Sequence, residues 1–217
     1  MRSLLLSSVF VGILVFFVNL SASDFYAGAK IGPGAAFGYG DDADDLDFDP
    51  AAGMSFGLFG TYVPIKFLAV QAELNYELKG FSKNSNAEEM EITIIGRGRQ
   101  YLHYFSIPLI VKGDFIVSRF NIQPYFGLNF SFLMSAKIHI EYEISIWGDG
   151  ERDNTNTDDY EVFDLGILFG TEAFIKITDH IFVTADLRFD LGVLEIIDDA
   201  EMFNGTFLAL FGAAYRF

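Results

Sequence analysis

The stretch VTADLRFDLGV, residues 183–193, alternates apolar and polar side chains without a break. Its apolar positions are Val183, Ala185, Leu187, Phe189, Leu191 and Val193, and Thr184, Asp186, Arg188, Asp190 and Gly192 lie between them. Successive side chains of a β-strand point to opposite faces, so a period of two predicts a strand with one apolar and one charged face. The fold then depends on which solvent each face meets.

Seven further segments repeat this alternation, so the chain contains eight in all. The clearest are 67–79, 121–135, 163–177 and 206–217, and weaker versions run through 25–40, 51–63 and 100–113. The connections are short at 64–66, 114–119 and 178–180, and long and polar at 41–50, 81–97, 138–161 and 198–204. Short turns at one end and long loops at the other are typical of outer-membrane barrels. We therefore predict an all-β fold, an eight-stranded antiparallel up-and-down transmembrane β-barrel.

Composition favours the same fold over its main competitor. The chain is 51% hydrophobic and contains 25 Phe, yet its formal net charge is −16. A β-sandwich also alternates, but its two sheets have edges that need protection, whereas a closed barrel has none. The strong negative charge argues against a nucleic-acid partner, and the absence of Cys excludes disulfides and thiol chemistry.

The first residues, MRSLLLSSVFVGILVFFVNLSAS, have the layout of a secretory signal peptide: one Arg, an apolar run and small residues at the end. We expect cleavage after Ser23, which leaves 24–217 as the outer-membrane β-barrel domain. The alternative is an uncleaved membrane anchor, because the run from Leu4 to Leu20 approaches spanning length. Beyond it, charged or polar residues interrupt every apolar run well short of about 20 residues.

If the apolar faces meet lipid, the polar faces must point into the barrel lumen. Eight strands enclose a space that side chains can fill, and isolated charges there would be costly. We therefore predict an interleaved charge network that closes the lumen; the alternative is that the same residues line a pore. The predicted members are Lys30, Glu73, Glu77, Lys79, Lys112, Asp164, Glu172, Lys176, Asp186, Arg188, Asp190 and Arg216.

Two features resemble a known family. The chain ends on Phe217 with Tyr215 two places before it, which resembles the C-terminal signal recognised by the barrel-assembly machinery. NYELKGFS (75–82), YLHYFSIPLIVK (101–112), PYFGLNFSFLMSAK (124–137) and FDLGILFGTEAF (163–174) together resemble the PorT-like outer-membrane β-barrel family, small barrels similar to OmpX and OmpA, with Gly80 and Pro108 as the sharpest points.

That resemblance implies a fold and a place in the cell, and no chemistry. It implies residence in outer-membrane lipid, with delivery by periplasmic chaperones to the barrel-assembly machinery. The pattern of short turns and long loops predicts extracellular loops and periplasmic termini.

One segment is longer than a membrane crossing needs. Beyond 120–137 the alternation continues through IHIEYEISIW, with Ile138, Ile140, Tyr142, Ile144 and Ile146 on one face. MEITII, residues 90–95, is also β-prone. We predict that strands four and five extend as a protruding hairpin, with Ile95 beside Ile138 and a bulge at Gly96 and Gly98. Its exposed edge suits strand addition by an extracellular protein; the alternative is that other loops fold over it.

Candidate catalytic and metal-binding residues are few. Of the three histidines, His103 has Ser106 near it in sequence, but residues three apart on a strand point to opposite faces. His139 has Glu141 on its face and no obvious nucleophile, and His180 lies in a predicted turn. The acidic stretches 41–49 and 149–161 lack the spacing of an EF-hand loop, which favours solvated charge over Ca²⁺ binding. We predict no catalytic residue, no metal site and no cofactor.

The leading function is a surface-exposed structural or adhesive protein whose acidic extracellular loops make the contacts. Two alternatives remain, a narrow porin-like channel and a lipid-modifying outer-membrane enzyme.

Overall fold

The computed structural model describes residues 24–40, 49–89, 92–117, 120–144, 148–155, 157, 160–196 and 201–217. Within them lie ten β-strands: β1 (Phe25–Tyr39), β2 (Asp49–Ile65), β3 (Leu68–Glu89), β4 (Ile92–Gly113), β5 (Phe115–Val117), β6 (Phe120–Ile144), β7 (Gly148–Thr155), β8 (Phe163–Lys176), β9 (Ile181–Gly192) and β10 (Phe203–Arg216). In this part of the chain, no helix has the length and hydropathy to cross a membrane.

Eight of these strands close into a ring. Each pairs antiparallel with its neighbours in the order β4, β3, β2, β1, β10, β9, β8 and β6, and pairing of β4 with β6 completes the circle. The first and last strands of the chain meet along Tyr26↔Arg216 to Tyr39↔Phe203. The short strands β5 and β7 both pair with β6. The predicted all-β, eight-stranded antiparallel barrel is confirmed.

Residues 183–193 show how the two faces are used. Leu187 points outward and is 51% exposed, whereas its neighbours Asp186 and Arg188 are 1% and 0% exposed. The same alternation recurs around the ring, so large apolar side chains cover the outside and most polar side chains are buried inside. A continuous apolar surface of this kind is stable in hydrocarbon and would aggregate in water.

The predicted polar loop at 81–97 is wrong, because β3 and β4 continue there and pair as far as Glu89↔Ile92. Much of the predicted loop at 138–161 is also strand, since β6 runs to Ile144 and β7 pairs with it. We call the four-stranded sheet formed by 82–89, 92–103, 135–144 and 148–155 the extension. These residues form paired strands and not irregular loops.

The bulge and register predicted for this region are also wrong. Ile95 pairs with Glu143, and the β-bulge lies lower, where Tyr104 pairs with Leu133 and His103 with Ser135. Met134 is therefore the extra residue. An extra residue in one strand reverses the face on which every later side chain lies.

The reversal changes the direction of the isoleucines. Below the bulge, Phe126 and Phe132 point outward and are 58% and 41% exposed. Above it, Ala136 is buried opposite Leu102, and the two-residue repeat places Ile138 and Ile140 on that same inner face. Lys137 and His139 take the outer face. The bulge thus ends the apolar band on the outside of β6.

The predicted joint extension of strands four and five is confirmed, because β4 and β6 pair as far as Ile94↔Ile144. The prediction that these two strands leave an exposed edge is wrong. Strand β3 covers the other edge of β4, and β7 pairs with β6 from Lys137↔Thr155 to Ile144↔Gly148. Tyr142 and Ile144 lie in the paired part of β6, and Ile146 lies outside the described residues.

Site-directed spin labelling tests the assignment of the two faces. A nitroxide on Leu187→Cys in lipid vesicles should be relaxed by oxygen and shielded from a water-soluble nickel complex, because this position faces acyl chains. A label on Asp179→Cys, whose native side chain is 86% exposed in a turn, should show the opposite preference. Since the natural chain has no Cys, each label reports one site. Aqueous contact at 187 would contradict the fold.

Candidate functional site

The interior of the barrel is closed at both ends by apolar layers. We call the end with the short connections at 66–67 and 177–180 the turn end, and the opposite one the loop end. At the turn end, Phe59, Phe174 and Phe182 pack together with Ala214, and Tyr26 packs against them. These rings form an apolar layer between the turn end and the polar interior.

At the loop end, two residues that flank β9 and β10, Ile196 and Met202, point inward. Ile196 and Met202 are 1% and 2% exposed, and the amide of Ile196 donates to the carbonyl of Met202 at 3.0 Å. They join a cluster whose other buried members are Phe81, Leu102, Tyr104, Leu133 and Ala136. Because apolar side chains seal both mouths, the polar groups between them are shielded from bulk water.

The polar groups nearer the turn end form a cluster with equal numbers of acids and bases, which we call the turn-side cluster. It contains Lys30, Lys112 and Arg188 with Glu73, Glu172 and Asp186, all of them buried. Three buried cations facing three buried carboxylates satisfy the requirement that charges inside a protein be paired.

Arg188 is the centre of this cluster. Its Nη1 and Nη2 donate to the two oxygens of Glu73 at 2.9 and 2.8 Å, the bidentate geometry that suits guanidinium and carboxylate. Nη2 also donates to Asp186 at 2.8 Å, and Nε donates to the hydroxyl of Tyr125 at 3.1 Å. These bonds join β3, β6 and β9 across the lumen.

The two lysines complete the charge pairing. The Nζ atom of Lys30 lies 2.9 Å from Glu172, 3.1 Å from Asp186 and 3.3 Å from Glu73. Lys112 pairs with Glu172 on the same side of the lumen. Every acid of the turn-side cluster thus contacts a cation.

A second group of charges lies nearer the loop end, and we call it the loop-side cluster. It consists of Lys79 with Glu77, Asp164 and Asp190, at N···O distances of 3.9, 3.5 and 2.9 Å. The amide of Asn129 donates to both Glu77 and Asp190, at 3.1 and 2.8 Å. Here three acids surround one base.

The structure places two of the predicted network residues elsewhere. Lys176 pairs with Asp179 at 2.7 Å, and Arg216 pairs with Asp24, with side chains that are 50% and 38% exposed. Both lie on strand residues beside the turn end, where a long side chain reaches water instead of the lumen. The ammonium of Lys176 holds the pKa of the Asp179 carboxyl below its ordinary value.

The predicted network omits several uncharged residues of the lumen, because it contains only charged side chains. Tyr125 donates to Asp186 at 2.6 Å, and Ser106 donates to Glu77 at 3.0 Å. Asn204 donates to Asp164 at 3.2 Å and to the Tyr104 hydroxyl at 3.1 Å. These residues occupy the inward positions of the two-residue repeat, so the alternation itself was the signal that could have found them.

The histidines are not arranged for catalysis. His103 lies on the outer face, where its Nδ1 bonds to the Tyr76 hydroxyl, while Ser106 is buried inside. His139 pairs with Glu141 at 3.2 Å, and Nδ1 of His180 donates to the carbonyl of Arg216 at 2.9 Å. Across the described ranges, no three His, Asp or Glu side chains are grouped to hold a metal ion.

Comparison with known proteins identifies the family. A family model described as an outer membrane protein beta-barrel domain matches residues 14–198. No curated protein matches the chain.

Solved structures are similar in fold. The outer membrane protein OprG of Pseudomonas aeruginosa is 10% identical, with a TM-score of 0.50 over 90% of this chain and 96% of that one. Outer membrane protein W of Escherichia coli is 15% identical, with a TM-score of 0.50 over 90% and 98%. Neisserial surface protein A is 14% identical, with a TM-score of 0.46 over 89% and 97%.

Replacing Arg188 tests the role of the turn-side cluster. Arg188→Met leaves Glu73 and Asp186 buried with one fewer cation, so we expect a loss of about 3–5 kcal/mol in the free energy of unfolding. Urea unfolding in lipid vesicles, followed by tryptophan fluorescence, measures it. The matched control, Lys176→Met, removes a half-exposed cation and should change the unfolding midpoint little. Equal effects for the two variants would contradict this role.

Proposed function

Since the chain belongs to the outer-membrane protein β-barrel family, we propose that it is a surface-exposed structural or adhesive protein whose extension contacts an extracellular partner. The observation that carries this proposal is the length of β3, β4 and β6, which have 22, 22 and 25 residues. A tilted strand needs about 9–11 residues to cross a bilayer. Strands β8, β9 and β10 have 14, 12 and 14 residues, which is close to the length needed for one crossing.

The faces of the extension support a position beyond the lipid. Above the bulge, the outer face carries Arg99, Lys137, His139 and Glu141, and Arg99 lies 3.5 Å from Glu141. A face with these charges is stable in water and would be costly among acyl chains. The extension therefore offers a paired, rigid sheet to a partner in the medium, with polar residues outside and Ile138 and Ile140 within.

The partner would meet faces of this sheet and not the free edges predicted from the sequence. Ile140 is 39% exposed although it lies on the inner face, and it follows Ile138 on β6. An exposed apolar side chain surrounded by polar ones is a typical contact position in protein interfaces. Ile138, Ile140, Tyr142, Ile144 and Ile146 thus remain the proposed binding segment.

The arrangement of the connections supports an orientation. We assign the long loops and the extension to the extracellular side and both termini to the periplasm, as in barrels with short periplasmic turns. Residues 1–23 then act as a signal peptide and 24–217 form the mature barrel.

The C-terminal residues are suitably placed to guide assembly. Tyr215 and Phe217 are 47% and 72% exposed on the outside of the last strand, and the amide of Phe217 donates to the carbonyl of Phe25 at 3.0 Å. Exposed aromatic rings at this position are accessible to the assembly machinery before β10 closes on β1.

Within the family, we propose kinship with the PorT-like barrels. The sharpest point of that resemblance, Gly80, has a φ of +149°, and a Cβ there would lie 2.0 Å from the carbonyl oxygen of Gln100. Only glycine fits this close approach of β3 to β4. The backbone thus gives a physical reason for the motif.

The closed lumen favours a structural or adhesive role over a channel, because the aromatic layer and the loop-end cluster both block the axis. The separation of His103 from Ser106 on opposite faces likewise favours a role without catalysis.

Removing the extension tests the adhesive role. In this variant an Asn-Gly turn replaces 83–98 and a second one replaces 138–154. The first turn joins Ser82 to Arg99 and the second joins Lys137 to Thr155, and the residues of each pair are already neighbours in the sheet. Bacteria displaying this variant should lose adhesion to a panel of immobilised extracellular proteins, while a heat-modifiability gel still shows a folded barrel. Asp179→Asn, at the opposite end, is the control that should leave adhesion unchanged. Adhesion that persists without the extension would contradict the proposal.

Conductance tests the closed lumen separately. The purified mature barrel in a planar bilayer should give a flat current trace, because apolar layers at both ends exclude hydrated ions. Stepwise currents from the folded protein, absent from an empty detergent control, would show a channel instead.

A further inference from the structure

The turn end of the barrel contains a cavity that lies outside the aromatic layer, and we call it the cup. Its volume is about 720 Å³. Tyr26 and Phe182 belong both to the aromatic layer and to the lining of the cup, so these two rings form an apolar floor. Cavities of roughly 300–1,000 Å³ with an apolar lining and a few polar groups are typical of small-molecule sites, and the mouth of a β-barrel is a common place for them.

Most charges around the cup already have partners in the protein. Arg216 pairs with Asp24, and Lys176 pairs with Asp179 at 2.7 Å. A ligand would have to displace a carboxylate to reach either of these cations. The four side chains therefore form the walls of the cup and leave its charge balance to the remaining groups.

Two charges of opposite sign in the lining have no such partner. They belong to Lys66, between β2 and β3, and Asp114, between β4 and β5. Among the residues that the structure describes, no acid lies within 4.0 Å of the Lys66 ammonium and no base lies within 4.0 Å of the Asp114 carboxylate. Both groups are thus available to a ligand in the cup.

The backbone and a buried amide hold these two residues near each other. The main-chain amide of Asp114 donates to the carbonyl of Phe67 at 3.0 Å, so the two connections are neighbours. The side-chain amide of Gln123, which is 4% exposed, donates to the Asp114 carboxylate at 3.2 Å. Because this neutral donor orients the carboxylate without neutralising it, Asp114 keeps its negative charge for another partner.

We propose that the cup binds a zwitterion, namely a short peptide with an apolar side chain. The peptide's ammonium terminus pairs with Asp114 and its carboxylate terminus pairs with Lys66. Its apolar side chain packs on the rings of Tyr26 and Phe182, whose centroids lie 5.3 Å apart in an edge-to-face arrangement. Charge-assisted hydrogen bonds at both ends then fix the orientation of the peptide.

A zwitterion fits the cup better than an ion of one sign. An anion on Lys66 would leave the neighbouring Asp114 unpaired, and a cation on Asp114 would leave Lys66 unpaired. The cup also lies at the opposite end of the barrel from the extension, so this site is independent of the proposed adhesive role. In the orientation proposed above, it opens to the periplasm.

Isothermal titration calorimetry of the full mature barrel in lipid nanodiscs tests the proposal, with the dipeptide Leu-Phe as the ligand. The wild type should give saturable binding at millimolar concentrations. N-acetyl-Leu-Phe lacks the ammonium and Leu-Phe amide lacks the carboxylate. Each analogue should bind about tenfold more weakly, because one charge-assisted hydrogen bond is lost.

Variants assign each terminus to its residue. Lys66→Gln should weaken binding of Leu-Phe about tenfold and leave binding of its amide unchanged, and Asp114→Asn should do the same for the acetylated dipeptide. The matched control is Lys176→Gln, a cation of the same cup that already pairs with Asp179, and it should leave the affinity unchanged. A heat-modifiability gel checks that each variant is folded.

Two results would overturn the proposal. One is the absence of saturable heat when Leu-Phe is added to the wild type, a measurement that needs no variant to fold. The other is an analogue that binds as tightly as Leu-Phe itself. Equal binding of the acetylated dipeptide would show a site for anions, and equal binding of the amide would show a site for cations.

Discussion

The structure depends on one constraint: in hydrocarbon, every backbone amide and carbonyl must find its partner within the protein. Water cannot replace a missing hydrogen bond there, so an open sheet with two bare edges is not viable. Pairing of β1 with β10 along Tyr26↔Arg216 to Tyr39↔Phe203 removes both edges at once. Because the ring is closed, each strand must separate an outer face from an inner one, and the alternation of residues 183–193 becomes obligatory.

Closure of the ring also encloses the polar faces of all eight strands in one narrow lumen. A ring of eight strands is too narrow for an open aqueous channel once its side chains are placed, so the polar faces must satisfy each other. Arg188 and Lys30 do this in the turn-side cluster, where bases equal acids. The loop-side cluster solves it differently, with Lys79 alone among three acids. The same barrel therefore holds two polar environments that differ in their balance of acids and bases.

The bulge at Met134 connects the membrane-spanning part to the extension. One extra residue lets β6 continue without a break while its outward face changes from Phe126 and Phe132 to Lys137 and His139. A strand without the bulge would place Ile138 and Ile140 on the outer face and turn Lys137 and His139 inward. The end of the outer apolar band on β6 and the start of the proposed contact surface thus depend on a single inserted residue.

The sequence by itself determined the class of fold, the number of strands in the ring and the two faces, because a period of two is a local property of the chain. It also identified most charged residues of the lumen, since every second residue of each strand points inward and can be counted from the sequence. Only the tertiary structure decided the register of β4 on β6, the pairing that turned predicted loops into the extension, and the exclusion of Lys176 and Arg216 from the lumen. These features depend on contacts between residues far apart in the chain. One inserted residue, or a shift of a few ångströms along the barrel axis, changes which residues come into contact.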